Sequence, residues 1–233
     1  MAYDLKDESQ VKEYIHNLGI EYRFGCYKEK KPEVCHLLGD FLDAIKKDFS
    51  KASIVYKSNC DDYNFGKSCY KYGSYNLLGK AMKEPNLELA YDYMLKACEL
   101  GDVSGCLSAG MMNINRGSHC RKDRDPKLGM TLLEKCCEGK RAYCCFFLSG
   151  MFISGVKEAE IEKDMSKAYK FALRACELGE MQACANVSLM YKRGEGIEKN
   201  EELAAKYRKI AEEMQDELLK DKAPLEFQQG TKI

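Results

Sequence analysis

The sequence predicts an all-α fold, an α-solenoid of helix–turn–helix repeats, and three observations carry that prediction. The cysteines recur at a fixed period, the apolar residues beside them follow helical spacing, and an Asp or Asn precedes each apolar run at a constant distance. A self-similar period of about 20 to 50 residues is typical of repeat proteins, in which each unit packs on its neighbours. We therefore expect a row of small units in place of one central core.

The cysteine spacing defines the repeat. Ten of the 13 cysteines form local pairs whose members lie eight or nine residues apart. From Cys60 onward, the first member of a pair recurs every 38 or 39 residues, at Cys98, Cys137 and Cys176. The five pairs are Cys26–Cys35, Cys60–Cys69, Cys98–Cys106, Cys137–Cys145 and Cys176–Cys184.

The first helix of each unit is predicted to end at the first cysteine of a pair. From Cys60 onward, an Asp or Asn stands twelve residues before that cysteine, and such a residue caps a helix by accepting hydrogen bonds from its free backbone N–H groups. Four residues after the cap comes a small residue, where two helices can approach closely. The caps are Asp48, Asn86, Asp125, Asp164 and, in a last unit without cysteine, Asn200; the small residues are Ala52, Ala90, Gly129, Ala168 and Ala204.

The second helix is predicted to begin at the second cysteine. Gly101, Gly139 and Gly179 follow the first cysteines of three pairs, as helix-terminating glycines do. Bulky apolar residues then stand three and six residues after the second cysteine, which is helical spacing. The residue four positions after the second cysteine is again small, at Gly39, Gly73, Gly110, Ser149 and Ser188.

This arrangement predicts a disulfide within each pair. Seven or eight residues separate the end of one helix from the start of the next, so the two sulfur atoms can meet across the turn. A bridge that closes so short a loop stabilises the fold by about 2–3 kcal/mol in the chain-entropy model. The alternative is that Cys fills these positions as a small buried apolar residue.

We expect three regions along the chain. Residues 1–34 are predicted to form an N-terminal cap helix region, and residues 221–233 a flexible tail. Residues 35–220 hold five repeats, at about 35–68, 69–105, 106–144, 145–183 and 184–220.

Composition excludes several classes of function. Because 37 basic and 37 acidic residues give zero formal net charge, the chain has no bulk attraction for nucleic acid or anionic membranes. The segment MAYDLKDESQ lacks the features of a secretory signal peptide, and no apolar stretch reaches the roughly 20 residues of a membrane helix. We therefore expect no nucleic-acid partner and no membrane insertion.

Three segments resemble a known repeat. NLELAYDYMLKACELGDVSGC, DMSKAYKFALRACELGEMQAC and LMYKRGEGIEKNEELAAKYRKIA are similar to the TPR-like Sel1 repeat. With their paired cysteines they also resemble the Hcp cysteine-rich family. Over residues 7–225, the five cysteine pairs and the acidic segment DESQVKEYI resemble the cytochrome c oxidase assembly factor 7 family.

The resemblance implies a right-handed α-solenoid of Sel1-like repeats tied by inter-repeat disulfides. It implies location in the mitochondrial intermembrane space and a role in assembling respiratory complexes, chiefly complex IV, cytochrome c oxidase. The implied partners are assembly clients, other assembly factors and the oxidative import machinery of that compartment. The resemblance also implies haem binding and, less directly, thiol–disulfide activity. We expect the chain to be a monomer.

Two of the three remaining cysteines lie beside the fourth pair. Cys136 and Cys144 are eight residues apart, so they can form an extra Cys136–Cys144 bridge, exchange partners with Cys137 and Cys145, or stay as buried thiols. These four cysteines lack the Cys-x2-Cys spacing typical of structural zinc, so we expect no metal site.

The chain offers few candidates for chemistry. Cys120 lies between His119 and Arg121, and cationic neighbours lower a thiol pKa, so Cys120 is the candidate reactive thiol. Haem iron is commonly held by His, which makes His36 and His119 the candidate haem ligands. No Cys-x-x-Cys motif occurs, which disfavours a redox enzyme.

The Hcp resemblance raises β-lactamase-like activity, because Ser68 and Lys71 match the Ser-x-x-Lys motif. The accompanying Ser-Asp-Asn and Lys-Thr-Gly motifs are absent from the sequence, so we discount that activity. We predict a non-catalytic assembly factor that binds protein clients. The alternatives are a thiol–disulfide oxidoreductase or haem-handling enzyme, and a cytosolic Sel1-type scaffold with reduced cysteines.

Overall fold

The computed structural model describes residues 3–4, 6–82, 84–114, 123–157 and 160–221. Within these residues the chain forms eleven α-helices, and Val156 and Ile161 make an isolated antiparallel bridge. The all-α prediction is therefore confirmed. The helices are α1 (Glu8–Tyr27), α2 (Pro32–Ala44), α3 (Phe49–Tyr63), α4 (Gly66–Leu78), α5 (Leu87–Glu99), α6 (Val103–Ile114), α7 (Pro126–Glu138), α8 (Ala142–Ser154), α9 (Met165–Glu177), α10 (Met181–Arg193) and α11 (Glu201–Asp221).

The helix boundaries follow the cysteine pairs. Each odd-numbered helix from α1 to α9 ends within three residues after the first cysteine of a pair. Each even-numbered helix begins three residues before the second cysteine, slightly earlier than the sequence predicts. Every pair therefore joins the end of one helix to the first turn of the next.

The chain divides into two compact units, residues 1–136 and 137–233. In the first unit, each helix from α1 to α5 packs on the helix that follows it. In the second unit, α8 to α11 pack in the same successive manner. Packing between sequence neighbours is the defining property of a helical solenoid.

The predicted N-caps are confirmed in all five positions. In each, the side-chain oxygen accepts a hydrogen bond from the backbone N–H three residues further on, which satisfies one of the free donors of the first helical turn. The bonds run to Asp48 from Lys51 (3.1 Å), to Asn86 from Leu89 (3.0 Å), to Asp125 from Leu128 (3.0 Å), to Asp164 from Lys167 (2.9 Å) and to Asn200 from Leu203 (2.9 Å).

The turn after the first cysteine places one residue in the left-handed backbone region. Gly101 and Gly179 take φ values of 87° and 93°, as predicted. In the repeat between them the expectation for Gly139 is wrong, because Lys140 takes this conformation with φ of 62°. Lys140 lies three residues after its cysteine, as Gly101 and Gly179 do. The position in the turn therefore decides the conformation, even where a side chain adds strain.

Small residues in the first unit meet where consecutive helices cross. A Cβ atom placed on Gly73 would lie 3.0 Å from the carbonyl oxygen of Ala90. A Cβ atom placed on Gly110 would lie 3.1 Å from the carbonyl oxygen of Gly129. Both distances are shorter than an ordinary van der Waals contact. The helices can therefore approach this closely only because Gly73 and Gly110 have no side chain.

In the second unit the same position is serine, and the contact is a hydrogen bond. Ser149 Oγ donates to the carbonyl oxygen of Ala168 at 2.9 Å, and Ser188 Oγ donates to that of Ala204 at 2.7 Å. Ser149 is fully buried and Ser188 is 9% exposed. Four of the five small residues predicted after the second cysteines therefore lie at crossing points with a small residue of the next helix, whereas the fifth, Gly39, faces the ring of Tyr56.

The cysteines belong to the core. In the first unit, Cys26 and Cys35 lie in one buried cluster with Leu38 and Tyr56. Cys60 and Cys69 form a second cluster with Ala97. The bridges therefore tie the helices from inside the packed layer.

The predicted tail, 221–233, falls almost wholly outside the described residues, since α11 ends at Asp221. In the part of the chain that the structure describes, no helix is both long enough and apolar enough to cross a membrane.

Candidate functional site

Five disulfides form a ladder along the repeats. Each links the end of an odd-numbered helix to the first turn of the next helix, with Cα–Cα distances between 4.5 and 4.8 Å. The cysteine ladder consists of Cys26–Cys35, Cys60–Cys69, Cys98–Cys106, Cys137–Cys145 and Cys176–Cys184.

The ladder is closed to solvent. None of its ten cysteines is more than 6% exposed. Thiol–disulfide exchange requires an incoming thiolate to reach a disulfide sulfur, so access limits its rate. The ladder is therefore built as a set of structural ties.

Cys136 and Cys144 are also fully buried, and each is disulfide-bonded. They occupy the positions of Ala97 and Gly105 in the preceding repeat. There, a Cβ atom placed on Gly105 would lie 2.6 Å from the Cβ atom of Ala97, so these two positions face each other. The extra Cys136–Cys144 bridge stays our prediction for their pairing.

A polar cluster joins α2, α3 and α4 beside the Cys60–Cys69 bridge. His36 Nδ1 lies 3.0 Å from Ser68 Oγ, and His36 Nε2 lies 3.6 Å from Asp40 Oδ2. Asn59 Nδ2 donates a hydrogen bond of 2.8 Å to Ser68 Oγ. We call His36, Asp40, Asn59 and Ser68 the His36 cluster.

The Ser68 hydroxyl bridges Asn59 and His36. Ser68 Oγ accepts from Asn59 Nδ2 and can donate its own proton to His36 Nδ1, 3.0 Å away. In that arrangement Nε2 carries the ring proton and faces Asp40. Burial lowers the pKa of His36, and the nearby Asp40 carboxylate opposes that shift without cancelling it. The ring is therefore neutral at neutral pH.

Asp40 organises the other side of the cluster. Tyr56 Oη donates a hydrogen bond of 2.6 Å to Asp40, and Lys71 Nζ lies 3.2 Å from the same carboxylate oxygen. Burial, followed by the hydrogen bond to Asp40, raises the pKa of Tyr56. Lys71 is thus paired with Asp40, while Ser68 is fully buried. The Ser-x-x-Lys pair has neither the access nor the contact that a nucleophile and its base need.

Comparison with known proteins identifies the family. Residues 66–102, 142–180 and 182–216 match the Sel1 repeat. A cytochrome c oxidase assembly factor 7 homolog from Drosophila melanogaster is 51% identical over 261 residues, which covers 99% of this chain and 98% of that protein. The chain belongs to the cytochrome c oxidase assembly factor 7 family.

Vertebrate members of the family match over more than nine tenths of the chain. Cytochrome c oxidase assembly factor 7 from Xenopus tropicalis is 39% identical and covers 91% of this chain and 91% of its own. The Homo sapiens protein of that name is 36% identical, over 96% of this chain and 97% of its own.

Solved structures of low sequence identity share the fold. A Sel1 repeat protein from Oxalobacter formigenes has a TM-score of 0.67 at 20% identity and covers 86% of this chain and 82% of its own. A protective antigen of uropathogenic Escherichia coli with an SLR fold has a TM-score of 0.71 at 17% identity, over 91% of this chain and 49% of its own. At these identities the likeness shows the fold alone, and it confirms the Sel1-repeat solenoid.

The geometry of His36 does not fit an axial haem ligand. Both ring nitrogens face polar partners, and the side chain is 13% exposed. The rings of Tyr56 and Phe65 lie 5.7 and 5.5 Å from the imidazole, centre to centre. Iron at either nitrogen would have to displace Ser68 or Asp40. The other candidate ligand, His119, lies outside the described residues.

The candidate thiol of this family member, Cys120, also lies outside the described residues. Within the described ranges, no group of three or more His, Cys, Asp or Glu side chains is arranged to hold a metal ion.

The sequence alone did not reveal the His36 cluster, although a signal was present. Asn59 and Ser68 each directly precede a bridged cysteine, so the bridge brings them together. Two other repeats have small residues in both positions, such as Ala97 and Gly105. A polar pair at positions that hold small residues in other repeats predicts a buried hydrogen bond. The contact with His36 depends on how far the His36 side chain of α2 reaches towards α4, which the sequence does not show.

Proposed function

We propose that the chain is an assembly factor of the mitochondrial intermembrane space that supports the assembly of respiratory complexes, chiefly cytochrome c oxidase. The observation that carries the proposal is the full-length match to a Drosophila melanogaster protein named as a cytochrome c oxidase assembly factor 7 homolog. Because 99% of this chain takes part, the match covers the whole repeat array and not one shared module.

The oxidised cysteines support the proposed compartment. Twelve of the 13 cysteines are disulfide-bonded. Structural disulfides persist in oxidising compartments and are rare in the cytosol, where thiols are kept reduced. A cytosolic scaffold with reduced cysteines would lose these bridges. In the chain-entropy model each bridge contributes about 2–3 kcal/mol to the free energy of unfolding. The oxidative import machinery of the intermembrane space is the proposed source of these bridges.

We further propose that the chain acts by binding proteins, without catalysing a reaction. The ladder cysteines are at most 6% exposed, and the Ser68 hydroxyl is fully buried. Stacked helical repeats present extended surfaces whose common use is protein binding. The proposed partners are assembly clients and other assembly factors.

A cross-species rescue tests the proposal. The Drosophila melanogaster relative is depleted in Drosophila cells, and this chain is expressed in its place. We expect the chain to co-fractionate with intermembrane-space markers and to restore the assembled cytochrome c oxidase on native gels. A matched variant directed to the cytosol should not restore it. Correct localisation without any rescue would overturn the assembly role, and a cytosolic location of the unmodified chain would overturn the compartment.

Haem binding remains a prediction from the family resemblance. Absorbance titration of the purified chain with haem tests it, with His36→Gln and His119→Gln as variants. Because the His36 ring is enclosed, we expect no change in any haem spectrum on substitution of His36. Loss of a haem spectrum in that variant would contradict the geometry described above.

A further inference from the structure

The first unit contains an open cleft between α1 and α3. Its volume is about 460 Å³. Leu38 and Leu42 of α2, with Val55 of α3, form an apolar floor, and these side chains are 1%, 9% and 4% exposed. The cleft therefore reaches down to the core of the unit.

The walls of the cleft expose large apolar side chains. Tyr27 on α1 is 60% exposed, and Ile54 on α3 is 67% exposed. Ile20 and Phe24, which are 47% and 58% exposed, stand seven and three residues before Tyr27, so they continue the same side of α1. This apolar stripe extends for two helical turns, about 10 Å. Exposed apolar patches bordered by polar residues mark interaction sites.

The rim of the cleft is positively charged. Arg23 of α1, Lys46 of the α2–α3 loop and Lys51 of α3 all line it, together with one carboxylate, Asp48. The Asp48 carboxylate already has partners, since it caps α3 and forms an ion pair with Lys51 Nζ at 2.7 Å. Arg23 and Lys46 have no carboxylate partner among the residues that the structure describes.

We propose that this cleft, the α1–α3 cleft, docks an amphipathic helix of a partner protein whose apolar side is bordered by acidic residues. Apolar side chains at positions i, i+4 and i+7 of the helix pack on the stripe and the floor, and its carboxylates pair with Arg23 and Lys46. Helices bind apolar grooves with this spacing of anchors. The proposal rests on the proposed function in one respect, that the chain acts by binding proteins.

The shape of the cleft favours a helix over other partners. A flat anionic membrane could reach Tyr27 and Phe24 but not the floor at Leu38. A compact small molecule would fill the cleft and leave Ile20 and Phe24 exposed. A helix covers both the floor and the two-turn stripe, and acidic residues beside its apolar side can pair with Arg23 and with Lys46, whose Nζ otherwise lies over the Phe41 ring.

The test selects partners from a displayed library of random helical peptides, using the whole oxidised chain as bait. We expect the enriched peptides to carry apolar residues at i, i+4 and i+7 and a net negative charge. The affinity of the enriched peptides is then measured by fluorescence anisotropy against variants of the chain. Ile54→Asp should weaken binding at least tenfold, because it places a carboxylate in the apolar wall. The matched control is Leu78→Asp on α4, where the wild-type residue is 69% exposed and lies outside the cleft.

A charge exchange separates docking from a loss of folding. The double variant Arg23→Glu and Lys46→Glu leaves the apolar walls intact. It should weaken binding of the acidic peptides at least tenfold and improve binding of the same peptides with their acidic residues changed to Lys. Circular dichroism should show unchanged helix content in each variant.

Three results would overturn the proposal. They are enrichment of peptides without acidic residues, binding that Ile54→Asp leaves unchanged, and a failure of the library to yield any peptide that binds. If the chain bound anionic vesicles and the Ile54→Asp variant did not, the partner of the cleft would be a membrane surface and not a helix. Since this assay uses purified protein, its failure is distinct from failure of the rescue experiment, which tests the assembly role.

Discussion

Ser149 Oγ donates a hydrogen bond of 2.9 Å to the carbonyl oxygen of Ala168, across the crossing of α8 and α9. In the first unit the equivalent positions are Gly110 and Gly129, where a Cβ atom placed on Gly110 would lie only 3.1 Å from the carbonyl oxygen of Gly129. The same crossing is therefore made in two ways along one chain. Glycine allows the backbones to approach, whereas serine fills the same space and satisfies a carbonyl oxygen.

Ser149→Ala is expected to lower the free energy of unfolding by about 1 kcal/mol, since it removes one buried hydrogen bond and keeps the Cβ atom. Ser188→Ala should have a similar effect, because its bond to the Ala204 carbonyl has the same role. Urea denaturation followed by circular dichroism measures both.

Ser154→Ala is the matched control for these variants. Ser154 Oγ also donates to a backbone carbonyl, that of Gly150, but the bond is exposed and lies within one helix. We expect a change below about 0.5 kcal/mol. Equal losses in Ser149→Ala and Ser154→Ala would contradict a special role for the helix crossing.

The oxidised protein is expected to have one alkylatable thiol. Twelve of the 13 cysteines are disulfide-bonded, including Cys136 and Cys144. Alkylation with a mass tag under denaturing conditions should therefore label one cysteine before reduction and 13 after it. Three labelled cysteines before reduction would mean that Cys136 and Cys144 are thiols, and 13 would overturn the ladder.

Much of this architecture could be predicted because each repeat contact is local. A cap at Asp164 and a bridge at Cys176–Cys184 involve residues close in sequence, and the period of the repeat shows the same positions several times. The crossing residues, such as Ser149 and Ala168, could be predicted for the same reason. Chemistry that recurs in register is visible without knowledge of the packing.

Features that occur once along the chain could not be predicted in this way. The contact of His36 with Ser68 spans 32 residues and has no equivalent in the other repeats that would have marked it. The α1–α3 cleft depends on how three helices pack, although its cations and apolar residues are all present in the sequence. Lys140 is a smaller example. The sequence predicts a helix-terminating conformation at Gly139, but the geometry of the turn places Lys140 in the left-handed region.

Asn200→Ala is expected to destabilise the second unit by about 1 kcal/mol. Asn200 is exposed, and its side chain accepts the backbone N–H of Leu203 at the start of α11, a bond that Ala cannot replace. Asn200→Asp keeps the acceptor and should leave the free energy of unfolding almost unchanged. Urea denaturation of both variants makes the comparison, and a loss of equal size in Asn200→Asp would show that the cap is not the cause.

The His36 cluster predicts that acid weakens the fold above the range in which carboxylates titrate. Burial holds the pKa of His36 below its ordinary value of 6.5, so the folded state binds fewer protons than the unfolded state. The stabilising contribution of the neutral ring is therefore complete above pH 6.5 and is lost as the pH falls through the lowered pKa. The pKa values of Asp43 and Asp61 lie below their ordinary 3.8, so these groups do not titrate in this window.

Urea midpoints at pH 7.5 and pH 5 measure this effect, with His36→Gln as the test variant. Gln keeps a hydrogen-bonding group near Ser68 but cannot be protonated, so the midpoint of the variant should depend less on pH than that of the unmodified chain. His16→Gln is the control. His16 is exposed on α1, so its substitution removes one histidine and leaves the His36 cluster unchanged. An equal fall in the midpoint for the unmodified chain and His36→Gln would mean that protonation of another group weakens the fold. In that case the neutral His36 ring would be a packing feature with no influence on acid stability.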